Sequence, residues 1–360
     1  MILVAPTSFK GTIGAAEAAR ALAAGARDAL PGIEVVELPL SDGGPGLIDA
    51  IRTARGGDLL FVGVRDPLGR PARARILLAD LDDGRAAIVE SADACGMHLL
   101  ARAELDPMRA SSEGVGELVE AASRHADRVV LGLGGSATVD GGVGMARALG
   151  WRFLDDAGRD LDPGGAALRR LAHVRAPSAR TRPRVVALAD VISPLTGPLG
   201  AARVFGPQKG ASAADVELLD AGLSRLAEIV QRDVGIDAAA LPGAGAAGGL
   251  GFGSVAFLGA SLARGSNWLL DAVGFDALLA RATLVVTGEG SYDAQSSLGK
   301  VTGEVIGRAA RAGVPVLLVA GRVEGAPPAG VAVATRAGSL LAAAELARLA
   351  EENVRTALAL

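Results

Sequence analysis

The chain has 360 residues, a formal net charge of −4 and a single cysteine, Cys95. Acidic and basic residues are interspersed and aromatic residues make up only 3% of the sequence, so we expect no nucleic-acid partner. One cysteine excludes an internal disulfide framework, and the N-terminus reaches Pro6 and Lys10 before a signal-length apolar segment forms, so we expect a cytoplasmic protein without a membrane partner.

Short apolar runs recur along the chain, and each ends in glycine, aspartate or proline. Runs that are rich in Val and Leu and apolar at every position are typical of parallel strands covered on both faces. Helical stretches at 15–30, 113–126 and 302–313 alternate with them, which predicts an α/β fold with ligands bound at the carboxyl ends of the strands. The predicted strands are MILVAP, EVVELPLSDGG, RVVLGLGG, RVVALADV, TLVVTGEG and VPVLLVAG.

Two regions depart from this alternation. Residues 58–95 have the pattern of a β meander, and residues 194–266 combine Gly/Pro-rich loops with one amphipathic helix. We therefore predict a two-domain α/β fold: a Rossmann-like parallel-sheet domain, a mixed α/β domain inserted into it, and an active site in the interdomain cleft. The first domain is predicted to comprise 1–57, 115–193 and 267–360, and the inserted domain 58–114 and 194–266.

One uncharged segment, residues 238–263, is long enough to span a membrane. It contains seven glycines and a proline, mostly in its first half. These residues predict a Gly-rich loop followed by a short buried helix instead of a membrane span.

The stretch RVVLGLGGSATVDGGVGMARALGWRFLDD (128–156) is compatible with two kinds of nucleotide site. Gly132, Gly134 and Ala137 fit the G-x-G-x-x-[G/A] pattern after a strand, and Asp155 follows after about 20 residues, where a ribose-binding acid is expected. This is the pattern of a dinucleotide-binding turn.

The same stretch also resembles a phosphate-binding loop. Asp140 and the pair Gly141–Gly142 lengthen the loop before a helix begins, and such a polar loop is typical of a nest of backbone N–H groups that binds an anion. A plain strand-to-helix connection is a third interpretation. On the phosphate-loop interpretation, the residues that would bind the anion are Gly134, Gly135, Ser136, Thr138 and Asp140.

Two turns near the N-terminus follow predicted strands. In TSFKG, Lys10 precedes a helix start, where the helix dipole favours anions, although a solvated lysine beside a helix cap fits equally well. In LSDGGPG, Asp42 is followed by Gly43 and Gly44, which let a ligand approach the backbone. A turn with an N-capping aspartate is the alternative interpretation.

Acidic side chains follow two later strands. Asp190 ends an apolar run and is suited to accept a hydroxyl proton, to hold a metal or to cap a loop. Glu289 and Asp293 are spaced to reach a common magnesium ion. Lys300 follows them, but the residues around it break the Walker A pattern, so any nucleotide site is not a P-loop.

Taken together and in this order, the motifs resemble those of the bacterial type I glycerate kinase family, the glycerate 2-kinases. The resemblance covers nearly the whole chain. It implies ATP-dependent phosphorylation of D-glycerate, usually on the 2-hydroxyl, with Mg²⁺, and a two-domain α/β fold. The matching motifs are SFKG, SDGGPG, ESADACGM, GLGGSATVDGGVGM, ADV followed by PL, FGPQKGA, PGAGAAGGLG and the GEG…D…GK run.

With this resemblance, each candidate residue receives a role. Asp190 is the expected proton acceptor and Lys10 the residue that stabilises the transferring phosphoryl group. Glu289 and Asp293 are expected to organise Mg²⁺, and the 134–140 loop to hold the ATP phosphates. The residues expected to bind the substrate are Ser8, Asp42, Gly43, Gly44 and Lys209.

The sequence departs from the family pattern at several positions that are expected to line the site. Thr7 stands where the family has Asp, and Pro45 where it has Glu. Val139 and Ser193 stand where the family has Asn, Ser291 where it has Arg, and Ser296 where it has Thr. The alternatives are therefore a kinase of a related small hydroxy acid, an NAD(P)-dependent oxidoreductase, or an impaired paralogue that binds an organic acid.

Overall fold

A computed structural model of the chain describes residues 1–9, 12–178, 183–293, 300–324, 330–336 and 341–359. The strands, numbered along the chain, are β1 (Ile2–Val4), β2 (Val35–Glu37), β3 (Asp58–Arg65), β4 (Pro71–Leu81), β5 (Gly84–Glu90), β6 (Arg128–Gly132), β7 (Arg152–Leu154), β8 (His173–Arg175), β9 (Arg184–Leu188), β10 (Ser261–Ala263), β11 (Leu284–Tyr292), β12 (Val316–Val323) and β13 (Val331–Thr335). The α-helices are α1 (Ala15–Ala29), α2 (Leu47–Arg55), α3 (Ala92–Cys95), α4 (Glu113–Ser123), α5 (Val143–Ala148), α6 (Ala201–Phe205), α7 (Ala213–Val234), α8 (Ala246–Gly253), α9 (Gly265–Ala272), α10 (Phe275–Leu279), α11 (Val301–Ala312) and α12 (Ala343–Ala357).

The chain forms two compact units, each with its own main sheet. The first unit comprises Met1–Asp42, Asp49–Gly56 and Gly265–Leu360. The second comprises Gly43–Ile48 and Gly57–Arg264. The predicted fold class, a parallel-sheet unit with a mixed α/β unit inserted in the chain, is confirmed.

The first unit is built on a five-stranded sheet in the order β13-β12-β11-β1-β2, and every pair of neighbours in it is parallel. The order reverses between β1 and β11, as in doubly wound folds that bind ligands at this point. Side chains of α1 and α12, among them Leu22, Leu346 and Val354, bury the face of the sheet that carries Ile2 and Val4. Because that sheet face and the helices are aliphatic, burial of apolar surface stabilises this unit.

The second unit is built on a six-stranded sheet in the order β10-β9-β6-β5-β4-β3. Its strands β3, β4 and β5 form the antiparallel meander predicted for residues 58–95. The remaining pairs, β5 with β6, β6 with β9 and β9 with β10, are parallel. The sheet is therefore mixed, and its parallel part carries loops at the carboxyl ends of β5, β6 and β9.

The boundaries of the two units differ from the predicted domain boundaries. Residues 115–193, which the sequence analysis assigns to the first domain, lie in the second unit. The reason is strand pairing: in the sheet register Gly132 of β6 lies beside Glu90 of β5 and Leu188 of β9, so the predicted meander and these strands share one sheet. The long insertion therefore runs as one segment from Gly57 to Arg264.

A second core in this unit surrounds α7, which matches the amphipathic helix predicted at 215–234. Ser212 and Asp215 form a capping box at its start, and Leu219, Leu223 and Leu226 are buried against the neighbouring loops. The ring of Phe257 lies between the rings of three other aromatic side chains, Trp151, Phe153 and Phe252. No helix in the described parts of the chain has the length and apolar character that a membrane crossing requires.

Candidate functional site

Three strand ends carry the candidate residues of the second unit. Glu90, Gly132 and Leu188 are in register at the carboxyl ends of β5, β6 and β9. The backbone N–H of Leu133 donates to the carbonyl of Leu188 at 2.9 Å, so the loop after β6 begins beside the chain that leads to Asp190. Because ligands of parallel sheets bind beyond this edge, the structure places Asp190 and the predicted phosphate loop where such a site forms.

The predicted phosphate loop has an exposed tip and a buried base. Gly135 is exposed and Gly134 is half-buried, whereas the side chains of Ser136, Thr138 and Asp140 are buried. The tip therefore offers a ligand backbone groups only, and the base is held by contacts inside the protein.

Asp140 is one of the residues that hold this base. Its Oδ2 atom accepts hydrogen bonds from Ser112 N at 2.9 Å, Ser112 Oγ at 2.8 Å and Gly144 N at 3.1 Å. Its Oδ1 atom accepts a hydrogen bond from Gly142 N at 3.1 Å. A carboxylate that receives so many N–H and O–H donors at the start of α5 acts as a helix cap and loop organiser.

Lys209 is buried beneath the same loop. Its side chain is only 2% exposed, and Nζ donates to Ser136 Oγ at 2.9 Å and to the Thr138 carbonyl at 2.8 Å. Burial lowers the pKa of Lys209 to about 8, against the opposing effects of Cys95 and Asp140. This position differs from the predicted role in substrate binding, because a buried amine that is already bonded on two sides does not face a dissolved substrate.

The SDGGPG turn packs directly on the phosphate loop. A β-carbon at Gly132 would lie 2.5 Å from the carbonyl oxygen of Gly43, and the ring of Pro45 lies against Gly134 and Gly135. Side chains at these three glycines would separate the two turns, so the phosphate loop needs glycine for this close approach. The structure thus brings two of the predicted ligand-binding turns together.

Glu90, for which the sequence predicts no role, holds the last residue of this turn and the start of α2. Oε1 accepts hydrogen bonds from Gly46 N at 3.1 Å and Ile48 N at 2.9 Å, where α2 begins. Its Oε2 atom lies 3.4 Å from Nη2 of Arg75, which also pairs with Asp93. Burial raises the pKa of the Glu90 carboxyl to about 7, although the two backbone donors and Arg75 lower it.

We expect the stability of the wild-type chain relative to Glu90→Gln to fall as the pH rises from 4.5 to about 7. In this window the folded state holds a proton that the unfolded chain has released, so a higher pH favours the unfolded chain by on the order of 3 kcal/mol. Glutamine does not titrate. Urea unfolding of both proteins at several pH values measures the difference, and a difference independent of pH would contradict the buried position of Glu90.

The PGAGAAGGLG segment supports the phosphate loop from its other side. Gly248 has a φ of +72°, and a β-carbon there would lie 1.8 Å from the carbonyl oxygen of Thr138. Its own carbonyl accepts a hydrogen bond from Gly141 N at 3.1 Å. Val139, one of the departures from the family pattern, is fully buried in the core around α7. That departure therefore changes core packing instead of a ligand contact.

The candidate residues of the first unit follow β1 and β2 or lie in and directly after β11. Thr7 donates from both N and Oγ1 to the carbonyl of Gly288, at 2.9 and 3.2 Å, which places Ser8, after β1, close to Glu289, which lies within β11. The segment that leads to Asp42 runs beside the end of β1, since Leu40 N donates to the Pro6 carbonyl. These strand ends lie where the order of the sheet reverses.

The remaining predictions for this unit concern Lys10 and the metal ligands. Lys10 and Ser296 lie outside the described residues. Asp293 directly follows β11, and in the described ranges no group of three or more His, Cys, Asp and Glu side chains is placed to hold a metal. Because Mg²⁺ is commonly bound by one or two carboxylates together with substrate phosphates, the assignment of Glu289 and Asp293 to Mg²⁺ stays a prediction.

The dinucleotide interpretation does not agree with the geometry. The helix after β6 is α5, which has six residues and begins at Val143, well beyond the G-x-G-x-x-A segment. Asp155 accepts hydrogen bonds from Ala157 N and Arg159 N and pairs with the Arg159 side chain, so it organises its own turn. A ribose-binding acid would need its carboxylate free to receive two hydroxyl groups.

Comparison with known proteins gives consistent matches. The model of the glycerate kinase family matches residues 2–357. A glycerate kinase of Bacillus subtilis (strain 168) is 42% identical over 326 residues, which is 89% of this chain and 85% of that protein. A glycerate 2-kinase of Escherichia coli (strain K12) is 39% identical over 324 residues, which is 89% of this chain and 84% of that protein.

A solved structure is also similar. The crystal structure of a putative glycerate kinase 2 from Salmonella typhimurium LT2 has a TM-score of 0.85 and 38% sequence identity, and the match covers 99% of this chain and 97% of that chain. These matches do not favour the oxidoreductase and binding-protein alternatives.

Proposed function

The chain belongs to the glycerate kinase family and is a phosphotransferase that uses ATP, and from this premise we propose that it phosphorylates D-glycerate on the 2-hydroxyl. The product is then 2-phosphoglycerate, with ADP released. The observation that carries this proposal is that Asp190 comes two residues after Leu188, which is in register with Gly132 at the start of the phosphate loop, and that the SDGGPG turn packs on this loop. The relative named glycerate 2-kinase supports the choice of hydroxyl.

In the proposed reaction Asp190 accepts the proton of the 2-hydroxyl group of D-glycerate while the oxygen of that hydroxyl attacks the γ-phosphorus of ATP. The bond from this phosphorus to the β,γ-bridging oxygen breaks, and ADP takes the electron pair. Phosphoryl transfer needs mainly orientation and charge neutralisation, so one carboxylate at the acceptor is sufficient for the proton. Lys10 is proposed to stabilise the negative charge of the transferring group.

The ATP phosphates are proposed to bind the exposed tip of the loop, at the backbone N–H group of Gly135 and at that of Gly134, which would leave its long hydrogen bond to Ser91 Oγ at 3.3 Å. Ser136, Thr138 and Asp140 then act from the buried base, where Lys209 and the start of α5 fix them. A fixed loop does not have to reorganise when the charge of the transferring group develops, which is the basis of electrostatic catalysis.

The substrate carboxylate and hydroxyls are proposed to contact Ser8, Asp42, Gly43 and Gly44. Glu289 and Asp293 are proposed to hold Mg²⁺, directly or through water, and the ion would neutralise phosphate charge.

The test is an assay of ADP release with D-glycerate, followed by NMR identification of the phosphorylated product. We expect D-glycerate-dependent ADP release and 2-phosphoglycerate. The comparison acceptors are L-glycerate, which differs in configuration, lactate, which lacks the 3-hydroxyl, and glycolate, which lacks the whole hydroxymethyl group. A product that is 3-phosphoglycerate would overturn the 2-hydroxyl assignment, and a preference for another hydroxy acid would overturn the substrate.

A further inference from the structure

The segment ESADACGM, residues 90–97, connects the two glycine turns of the second unit. Glu90 accepts hydrogen bonds from Gly46, the last residue of the SDGGPG turn, and from Ile48, and Ser91 Oγ accepts one from Gly134 N at 3.3 Å. Further along, Met97 N donates to the Gly135 carbonyl at 2.9 Å. One short segment therefore fixes the position of both turns.

The contact made by Glu90 is the one that carries a charge once the carboxyl is ionised, above a pKa of about 7. Its carboxylate is 1% exposed and receives the N–H groups of Gly46 and Ile48. N–H groups at the start of a helix have no partner within the helix, and the helix dipole makes a carboxylate their preferred acceptor. The carboxylate thus holds the beginning of α2 in place.

Two side chains orient this carboxylate. Arg75, on β4, lies between Glu90 and Asp93: its Nη2 atom is 3.4 Å from Glu90 Oε2, and its Nε and Nη2 atoms bond both oxygens of Asp93. The backbone N–H of Arg75 also donates to Asp93 Oδ2 at 3.0 Å. Because Asp93 fixes the guanidinium group of Arg75, Arg75 in turn orients Oε2 of Glu90, the carboxylate oxygen that does not bind Gly46 and Ile48.

We propose that Glu90 is a positioning residue for substrate binding, which acts by holding residues 46–48 so that Gly43 and Gly44 keep the conformation that contacts the hydroxy acid. Glu90 is buried and does not touch the substrate itself. The proposal rests on the proposed function, since it assigns the substrate to the SDGGPG turn. It gives the first residue of the ESADACGM motif a physical role.

The experiment compares Glu90→Ala and Glu90→Gln with the wild-type chain. At a pH above about 7, where the Glu90 carboxyl is ionised, amide hydrogen exchange of Gly46 and Ile48, followed by NMR, is expected to be about tenfold faster or more in Glu90→Ala, because a charge-assisted acceptor is lost. Glutamine keeps one oxygen that can accept the same hydrogen bonds. The exchange rates of Glu90→Gln are therefore expected to lie between those of the wild-type chain and of Glu90→Ala. The KM for D-glycerate is expected to rise in the same order, with kcat and the KM for ATP changed less.

The matched control is Asp66→Asn. Asp66 is also a buried carboxylate that accepts two backbone N–H bonds, from Leu68 and Arg70, and pairs with an arginine, but it caps the turn between β3 and β4. This variant is expected to leave both the exchange at Gly46 and the KM for D-glycerate at wild-type values. Exchange in the core of α7 reports whether each variant is folded.

Two outcomes would overturn the proposal. Unchanged exchange at Gly46 and Ile48 in folded Glu90→Ala would show that the carboxylate does not hold the segment. Faster exchange with an unchanged KM for D-glycerate would show that the segment is held but not for the substrate. Failure of the proposed function is distinguished by the wild-type chain alone, which would then release no ADP on addition of D-glycerate.

Discussion

Asp190→Asn is expected to lower kcat with D-glycerate by about two to four orders of magnitude, the usual range for the loss of a general base. Asparagine has nearly the same shape as aspartate but does not accept a proton at neutral pH, so the hydroxyl must lose its proton to water. The KM for ATP is expected to stay near the wild-type value, because the proposed phosphate contacts are backbone groups of Gly134 and Gly135. Single-turnover measurements with saturating ATP separate this chemical step from product release.

Asp155→Asn is the matched control for this prediction. Asp155 also follows a strand of the second unit, β7, but its carboxylate caps its own turn through Ala157 and Arg159. Its replacement is expected to lower stability slightly and leave kcat unchanged. Near-normal kcat in Asp190→Asn, or an equal loss in both variants, would remove Asp190 from the proposed mechanism.

The strands and the longer helices are largely predictable from the sequence because they depend on local patterns. The apolar runs at the start and near residues 128, 184, 284 and 316 form β1, β6, β9, β11 and β12, and the predicted helix at 15–30 is α1. Apolar runs of this length can be buried on both sides only as strands of a covered sheet. The periodicity of a helix is equally local.

The division into units is less accessible from the sequence, because it depends on which strands pair. The apolar runs of β1 and β6 look alike, yet β1 pairs with β2 and β11 whereas β6 pairs with β5 and β9. Nothing in either run specifies its neighbour. The alternation of strands and helices predicts a parallel sheet but does not say that the parallel strands belong to two sheets.

The candidate site shows the same division between local and long-range information. Glycines and acidic residues after strands identify the turns, and the roles of Asp190 and of the tip of the phosphate loop are predicted in this way. The function of Glu90 and Lys209 depends on partners 42 and 73 residues away in the chain, at Ile48 and Ser136. The sequence does contain one indication for Glu90: a carboxylate at the end of the buried strand β5 needs hydrogen-bond donors around it.

Lys209→Met is expected to raise the KM for ATP and to lower kcat/KM at least tenfold. Methionine fills a similar volume but donates no hydrogen bond, so Ser136 Oγ and the Thr138 carbonyl are left buried without this donor, at a cost of about 1–3 kcal/mol each. The loop base is then no longer fixed beneath Gly134 and Gly135. Comparison with Ser136→Ala and with the double variant gives the coupling energy, and additive effects would contradict the contact.

The same variant tests the burial of Lys209 independently of activity. The pKa of Lys209 is lowered from 10.5 to about 8 in the folded chain, so between these values the unfolded chain holds a proton that the folded chain has released. The wild-type free energy of unfolding should therefore rise with pH relative to that of Lys209→Met, by on the order of 3 kcal/mol across this window. Guanidinium unfolding of both proteins from pH about 8 upward measures the change. An exposed lysine would keep its usual pKa, and the difference in unfolding free energy between the two proteins would then not change with pH. The dependence of this difference on pH therefore distinguishes a buried amine that supports the loop from an exposed one that faces the substrate.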